Sequence, residues 1–404
     1  MLNDQFVVIQ SKRQITPSMD NLGGLGGLGG IGMSTSSLTD ADVSVNEATL
    51  SSPSQRMDVR RDPSTVAVAP VMPMKLIKPV DAGDLAGAQA LSGSNAWGIE
   101  ATKTDQSSFD GTGITVAVLD TGIDPTHPAF QGVQLERKNF TTSSDDDVNG
   151  HGTHCAGTVF GHDVDGKRIG IARGIDKALI GKVLGENEGD GSSLTIANAI
   201  QWAVEKGAHV VSMSLGIDFP GVVNFLVNQQ GMKAAPATSL ALQAYRANVN
   251  MFGELAGYVH SRGTFGQGSI LIAASGNESQ APNFQIAVAP PAAGIGMLAV
   301  GALGQGDAGF KVANFSNIEV DLAAPGVGVL SAVPGGGLES MNGTSMATPH
   351  VAGIAALWAQ KEKEAGGSIN TRTLTARLVG NASVSVLDPA TEAEEVGAGM
   401  VQAP

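Results

Sequence analysis

Four side chains, far apart in the chain, have the types needed to cleave an acyl bond: Asp120, His151, Asn277 and Ser345. Ser345 closes the small-residue turn Gly343-Thr344-Ser345, just before the apolar stretch 351–358. Such a turn presents a hydroxyl at a helix start. Unpaired N–H groups and the positive end of the helix dipole favour negative charge there. A free serine is a weak nucleophile, so it needs a base, a group that orients the base, and an oxyanion donor. His151, between Gly150 and Gly152, can be the base, and Asp120 can orient it. The Asn277 amide and the Ser345 N–H can face the oxyanion.

The surrounding pattern must bring these groups together. Residues 113–119 are a near-continuous apolar run, as in a buried parallel strand, and end at Asp120. Functional groups of open α/β sheets gather at the carboxyl ends of strands. Residues 175–184 read as a second strand. Ser192 or Ser193 can cap a helix with the apolar face Ile196, Ile200, Ala203 and Val204, which Gly207 ends. A buried strand follows at 209–216, completing a right-handed βαβ unit. Further strands are expected at 269–277, 297–302 and 319–325, with a helix at 345–361. Residues 217–268 contain a helical stretch at 236–260, flanked by loops at 219–221 and 263–268. The expected fold is α/β: a doubly wound, mainly parallel sheet with helices on both faces.

The 404 residues exceed one typical domain. Residues 1–90 are expected to form a small N-terminal unit and 91–404 the main domain. Within the first, 5–9 and 66–70 read as strands, and 33–55 are ambiguous. The glycine repeat at 22–32 lacks the Gly-Lys-Ser/Thr of a phosphate loop and reads as a linker. Aromatics make up 4% of residues, so Ala, Val, Ile and Leu must build the core. The net charge of −14 argues against nucleic acid as a partner. No apolar run is long enough to span a bilayer, and a monomer is expected. With no basic segment and apolar stretch at the N-terminus, the expected location is the cytoplasm, with non-Sec secretion as the alternative.

His151 and His154 lie three apart with Gly and Thr between, which is not the spacing of a zinc helix. His154 reads as a packed structural histidine. Cys155, the single cysteine, reads as a small buried apolar residue and excludes an internal disulfide.

The blocks 118–124, 151–157, 214–216, 273–277 and 343–350 resemble, in order, the signature segments of the subtilisin-like serine proteases, the subtilases. The similarity runs from about Trp97 to the closing Gly397-Ala-Gly-Met-Val401. It implies an endopeptidase that hydrolyses peptide bonds in proteins or peptides through an acyl-enzyme. Asp120, His151 and Ser345 match the triad, and Asn277 the oxyanion asparagine. Ser214-Leu215-Gly216 and Ala274-Ser275-Gly276 match the segments that hold substrate as an added strand and wall its pocket. Cys155 resembles the proteinase K and thermitase branches. No cofactor is required for this chemistry. Structural calcium is compatible with Asp163 and Asp165 or with the acidic run Asp145-Asp146-Asp147, and an ordinary solvated loop is the rival reading. Residues 62–70 and Leu76-Ile77 are similar to the end of a subtilase propeptide, so a self-processing zymogen is expected, against a permanently attached segment. The other rivals are a transpeptidase or macrocyclase, which would carry a cover over the triad within 217–268, and a non-catalytic pseudoprotease.

Overall fold

The computed structural model describes residues 4–12, 43–80, 93–186, 190–262 and 268–404. The glycine repeat, the domain boundary near residue 90 and most of the loop at 263–268 lie outside these residues.

The N-terminal unit begins with β1 (Gln5–Ser11), which pairs antiparallel with β2 (Val43–Thr49) on one side. Between β2 and the next strand runs α1 (Pro53–Arg61), opened by Ser52 and Gln55 in a reciprocal cap. Then β3 (Thr65–Pro70) pairs with the other side of β1. Residues alternate across a strand, and β1 uses both faces. Phe6 and Val8 cluster with Leu50 and Val59, while Val7 and Ile9 join the apolar core of the main domain. The short β4 (Pro73–Leu76) then leaves this unit.

The main domain follows as α2 (Trp97–Ala101), β5 (Thr115–Asp120), β6 (Gln134–Asn139), α3 (His151–Phe160), β7 (Lys177–Lys182) and β8 (Gly191–Ser192). After α4 (Ser193–Glu205) come β9 (Val210–Met213), β10 (Leu215–Ile217), α5 (Phe219–Asn228) and α6 (Ala234–Arg262). The rest is β11 (Ile270–Ala274), β12 (Leu298–Gly304), β13 (Lys311–Val312), β14 (Leu322–Pro325), the hairpin β15 (Val329–Val333) with β16 (Gly337–Met341), α7 (Thr344–Glu364), α8 (Thr371–Gly380) and α9 (Ala393–Val396). The sheet runs β13-β12-β11-β9-β5-β7-β6, with β14 also on β12. All its pairings are parallel except β12–β13.

The fold is the expected doubly wound sheet. Val116 and Val118 face a core with α3 and α7, and Ala117 and Leu119 face one with α4 and α6. Ser192 caps α4 by accepting from Thr195 N, and Gly207 follows its end with φ +84°.

Two expectations are corrected. The strand at 209–216 breaks at Ser214: β9 stays in the sheet, and β10 turns out to pair with β4. The loop at 219–221 is the first turn of α5. Asp218 caps it through Gly221 N at 3.2 Å, with proline in the first turn, where its missing N–H costs nothing. Among the described residues, no helix is long and apolar enough to cross a membrane.

Candidate active site

Asp120 ends β5 and His151 opens α3, so the sheet and one helix set the distance between them. His151 Nδ1 lies 2.7 Å from Asp120 Oδ1, which also accepts from Thr121 N at 2.8 Å. Both side chains are 1% exposed. Burial disfavours the imidazolium, but the Asp120 carboxylate outweighs it and raises the His151 pKa well above 6.5. His151 Nε2 and Asp120 Oδ2 are buried, with no partner among the described residues.

The helix start is locked to the strand end by groups that the sequence reading missed. Asp147 Oδ1 accepts from Thr121 Oγ1 at 2.8 Å and Gly150 N at 2.9 Å. Its Oδ2 accepts from Thr153 N and Thr153 Oγ1 at 2.8 and 2.6 Å. Thr121 Oγ1 in turn accepts from Gly152 N at 2.9 Å. Gly152 must be glycine, since a Cβ there would stand 2.2 Å from Gly122 O. In the sequence Asp147 is one of three consecutive acids, a pattern that reads as a solvated loop. Its place three residues before Gly150, at a helix start, is the signal that could have found it.

Ser345 is the second residue of α7 and fully buried. Its hydroxyl donates to Ile77 O at 2.9 Å. Asn277 follows the end of β11. Its Oδ1 accepts from Thr344 N and Thr344 Oγ1, both at 2.9 Å, which leaves its Nδ2 to donate to Lys78 O at 3.0 Å. The structure therefore brings Asp120, His151, Asn277 and Ser345 to one cleft, and residues 73–80 lie along it.

The model of the subtilase family matches residues 111–399, most of the chain. The chain belongs to the subtilase family. Curated relatives agree. Subtilisin-like protease 1 of Arthroderma gypseum is 33% identical over 344 residues, which is 83% of this chain and 61% of that protein. The protein of the same name from Trichophyton equinum is 32% identical, over 83% of this chain and 58% of its own length. This subtilase thus spans about three fifths of the fungal relatives that it matches. Major intracellular serine protease of Bacillus subtilis (strain 168) is 34% identical over 63% of this chain and 70% of that protein. Among solved structures, the prenylagaramide maturation protease PagA superposes with a TM-score of 0.51 at 28% identity, covering 72% of this chain and 90% of its own.

In this subtilase the cleft-filling segment is itself a strand. Leu215, Gly216 and Ile217 pair antiparallel with Leu76, Lys75 and Met74. The other edge of β4 pairs with β8, through Gly191 opposite Met74 and Ser192 opposite Pro73. Ser275 O already accepts from Asn317 Nδ2 at 3.1 Å, and Ser275 Oγ donates to Asn317 O at 3.3 Å. Two residues with no apolar pattern gave no strand signal at 191–192. Ser214 sits below the cleft and donates to Ser345 O at 3.2 Å.

Cys155 is fully buried between the two halves of the site. Its Sγ is 3.8 Å from His151 Nδ1 and donates to Ser345 O at 3.4 Å. Burial pushes the thiol pKa up, which suits a packed donor and not a nucleophile. His154 Nε2 faces the carbonyls of Val329 and Glu339 at 3.0 and 3.1 Å. Burial, aided by the nearby His151 charge, lowers its pKa to about 3, so it is a neutral packing donor. Of the calcium candidates, Asp163 is paired with Arg173 at 2.8 and 3.0 Å, and Asp147 is consumed as described.

Proposed function

We propose that this subtilase is a serine endopeptidase, made with residues 1–90 as a pro-region that it removes itself. The observation that carries the reading is the segment 73–80, a strand at Pro73–Leu76 that continues onto the site, with the Ile77 carbonyl on Ser345 and the Lys78 carbonyl on Asn277. A segment seated there is held as an added strand, the way a cleft recognises peptides of varied sequence.

In the productive step, Ser345 Oγ attacks a peptide carbonyl carbon while His151 Nε2 takes its proton. Asp120 holds the other nitrogen as N–H and stabilises the imidazolium, consistent with the raised His151 pKa. The Asn277 amide and the Ser345 N–H bind the oxyanion. Collapse breaks the C–N bond, and His151 gives its proton to the leaving amine. Water then enters by the same base and releases the acid. Each step is carried by side chains and backbone, with no cofactor.

The resident segment keeps the strand register up to Ile77, but its carbonyls are not set for attack. Both groups must act on one carbonyl, and here they hold two consecutive ones. Pro79 follows directly, with no N–H to offer. This geometry accounts for a pro-region that blocks the cleft without being cut at that point. Transfer to an amine in place of water would call for a cover over the site. Helices α5 and α6 instead pack on each other, and α6 packs on β3, α4 and β11, which favours hydrolysis. Processed protein should digest unfolded casein and take a fluorophosphonate at Ser345. Inertness in both assays would overturn the proposal.

A further inference from the structure

The cleft strand reports more than where a substrate lies. Lys75 pairs with Gly216, so it sits two residues before Ile77, whose carbonyl is on Ser345. Its ammonium lies between two carboxylates of the main domain: Asp218 Oδ1 at 3.2 Å and Glu278 Oε1 at 3.6 Å. These acids come from different elements, one capping α5 and the other following Asn277.

Neither acid depends on the lysine for its position. Asp218 Oδ1 also accepts from Gly221 N at 3.2 Å. Glu278 Oε2 accepts from Asn317 Nδ2 at 2.9 Å. Asn317 is buried, and its Oδ1 accepts from the backbone N–H groups of Glu278 and Ser279, both at 3.1 Å. The two carboxylates are therefore fixed before any cation arrives, so little ordering entropy is lost when one binds. Lys75 is the cation that the structure seats there.

We propose that Asp218 and Glu278 form a subsite for a basic side chain, lysine or arginine, at the third residue before the scissile bond. This rests on the endopeptidase reading, with residues 73–77 lying in the substrate's place. The three side chains are 36–41% exposed, so solvent and salt weaken the attraction without removing it. The expected preference for lysine over alanine at this position is about fivefold to tenfold in kcat/KM at low salt. Glutamate there should fall below alanine through repulsion by both acids.

The test uses one quenched fluorescent peptide, with Ala, Lys or Glu placed in turn at each of the four positions before the cut. The processed wild type and the Asp218→Asn/Glu278→Gln variant are compared. Asparagine still caps α5 and glutamine still accepts from Asn317, so both amides keep the local bonds. The predicted result is a lysine preference at the third position that shrinks in 0.5 M salt, where the Debye length is under half its value at about 0.1 M. In the double variant the lysine-to-alanine ratio should collapse toward one. Equal cleavage of the Lys and Ala peptides overturns the subsite and leaves the peptidase reading standing. So does a lysine preference that survives in the double variant. If none of the peptides is cut, the peptidase reading falls, and this inference with it.

Discussion

Ser345 donates its hydroxyl to the carbonyl of Ile77 at 2.9 Å, while His151 Nε2 is buried with no partner among the described residues. The nucleophile of the proposed mechanism is thus engaged by the protein's own N-terminal segment. The relationship separates the intact chain from a processed one. In a mixture of the two, a fluorophosphonate should label the shorter species at Ser345 and largely spare the longer. Equal labelling per mole, read by gel fluorescence, would contradict a blocked cleft.

Asn277 is held by two bonds from Thr344 so that its Nδ2 faces the cleft. Asn277→Ala should lower kcat by about 10²–10³ with little change in KM, the magnitude known from subtilisin itself. Steady-state kinetics on a peptide substrate decide it. A change in KM alone would assign Asn277 to ground-state binding.

Asp147 makes no contact with the cleft, yet it ties the end of β5 to the start of α3. Asp147→Ala strands two threonine hydroxyls and two backbone N–H groups in the interior. The expected loss is about 2–4 kcal/mol by chemical unfolding, measured on Ser345→Ala protein to prevent self-digestion. A loss under 0.5 kcal/mol, within the range of ordinary surface changes, would show that the anchor is dispensable.

Burial lowers the pKa of His154 to about 3 and of His209 and His350 to about 4. Each binds fewer protons folded than unfolded below the ordinary value near 6.5. Their contribution is therefore intact above pH 6.5 and lost as pH falls toward 4, at about 1.4 kcal/mol per pH unit from each. His151 has the opposite sign. Its raised pKa contributes stability that is full below 6.5 and fades as pH rises through the folded value. Melting temperature against pH in Ser345→Ala should drop steeply between pH 6.5 and 4. His154→Gln should flatten that drop. A flat profile in the parent would refute the neutral buried histidines.

The same residues show how far the sequence could be read. The apolar run before Asp120 and the glycines around His151 carry strong local signals, since a buried parallel strand and a tight helix start each need those residue types. Asn277 and Ser345 were legible for the same reason. What stayed hidden depends on contacts across the fold. Gly191-Ser192 is a strand only because β4 lies beside it. Ser214 ends β9 only because the following residues turn to Leu76 and Lys75. Asp147 looked like a solvated acid because nothing local shows that Thr121 and Thr153 converge on it. The first turn of α5 carried its own signal, Asp218 before Phe219-Pro220, which the loop reading overlooked.

The most direct test of the account compares intact masses of the wild-type chain and Ser345→Ala after identical expression. A new N-terminus between residues 80 and 97 in the wild type, with Ser345→Ala left at full length, is the predicted result. Full-length wild-type protein, or the same cut in both chains, would contradict self-processing by Ser345.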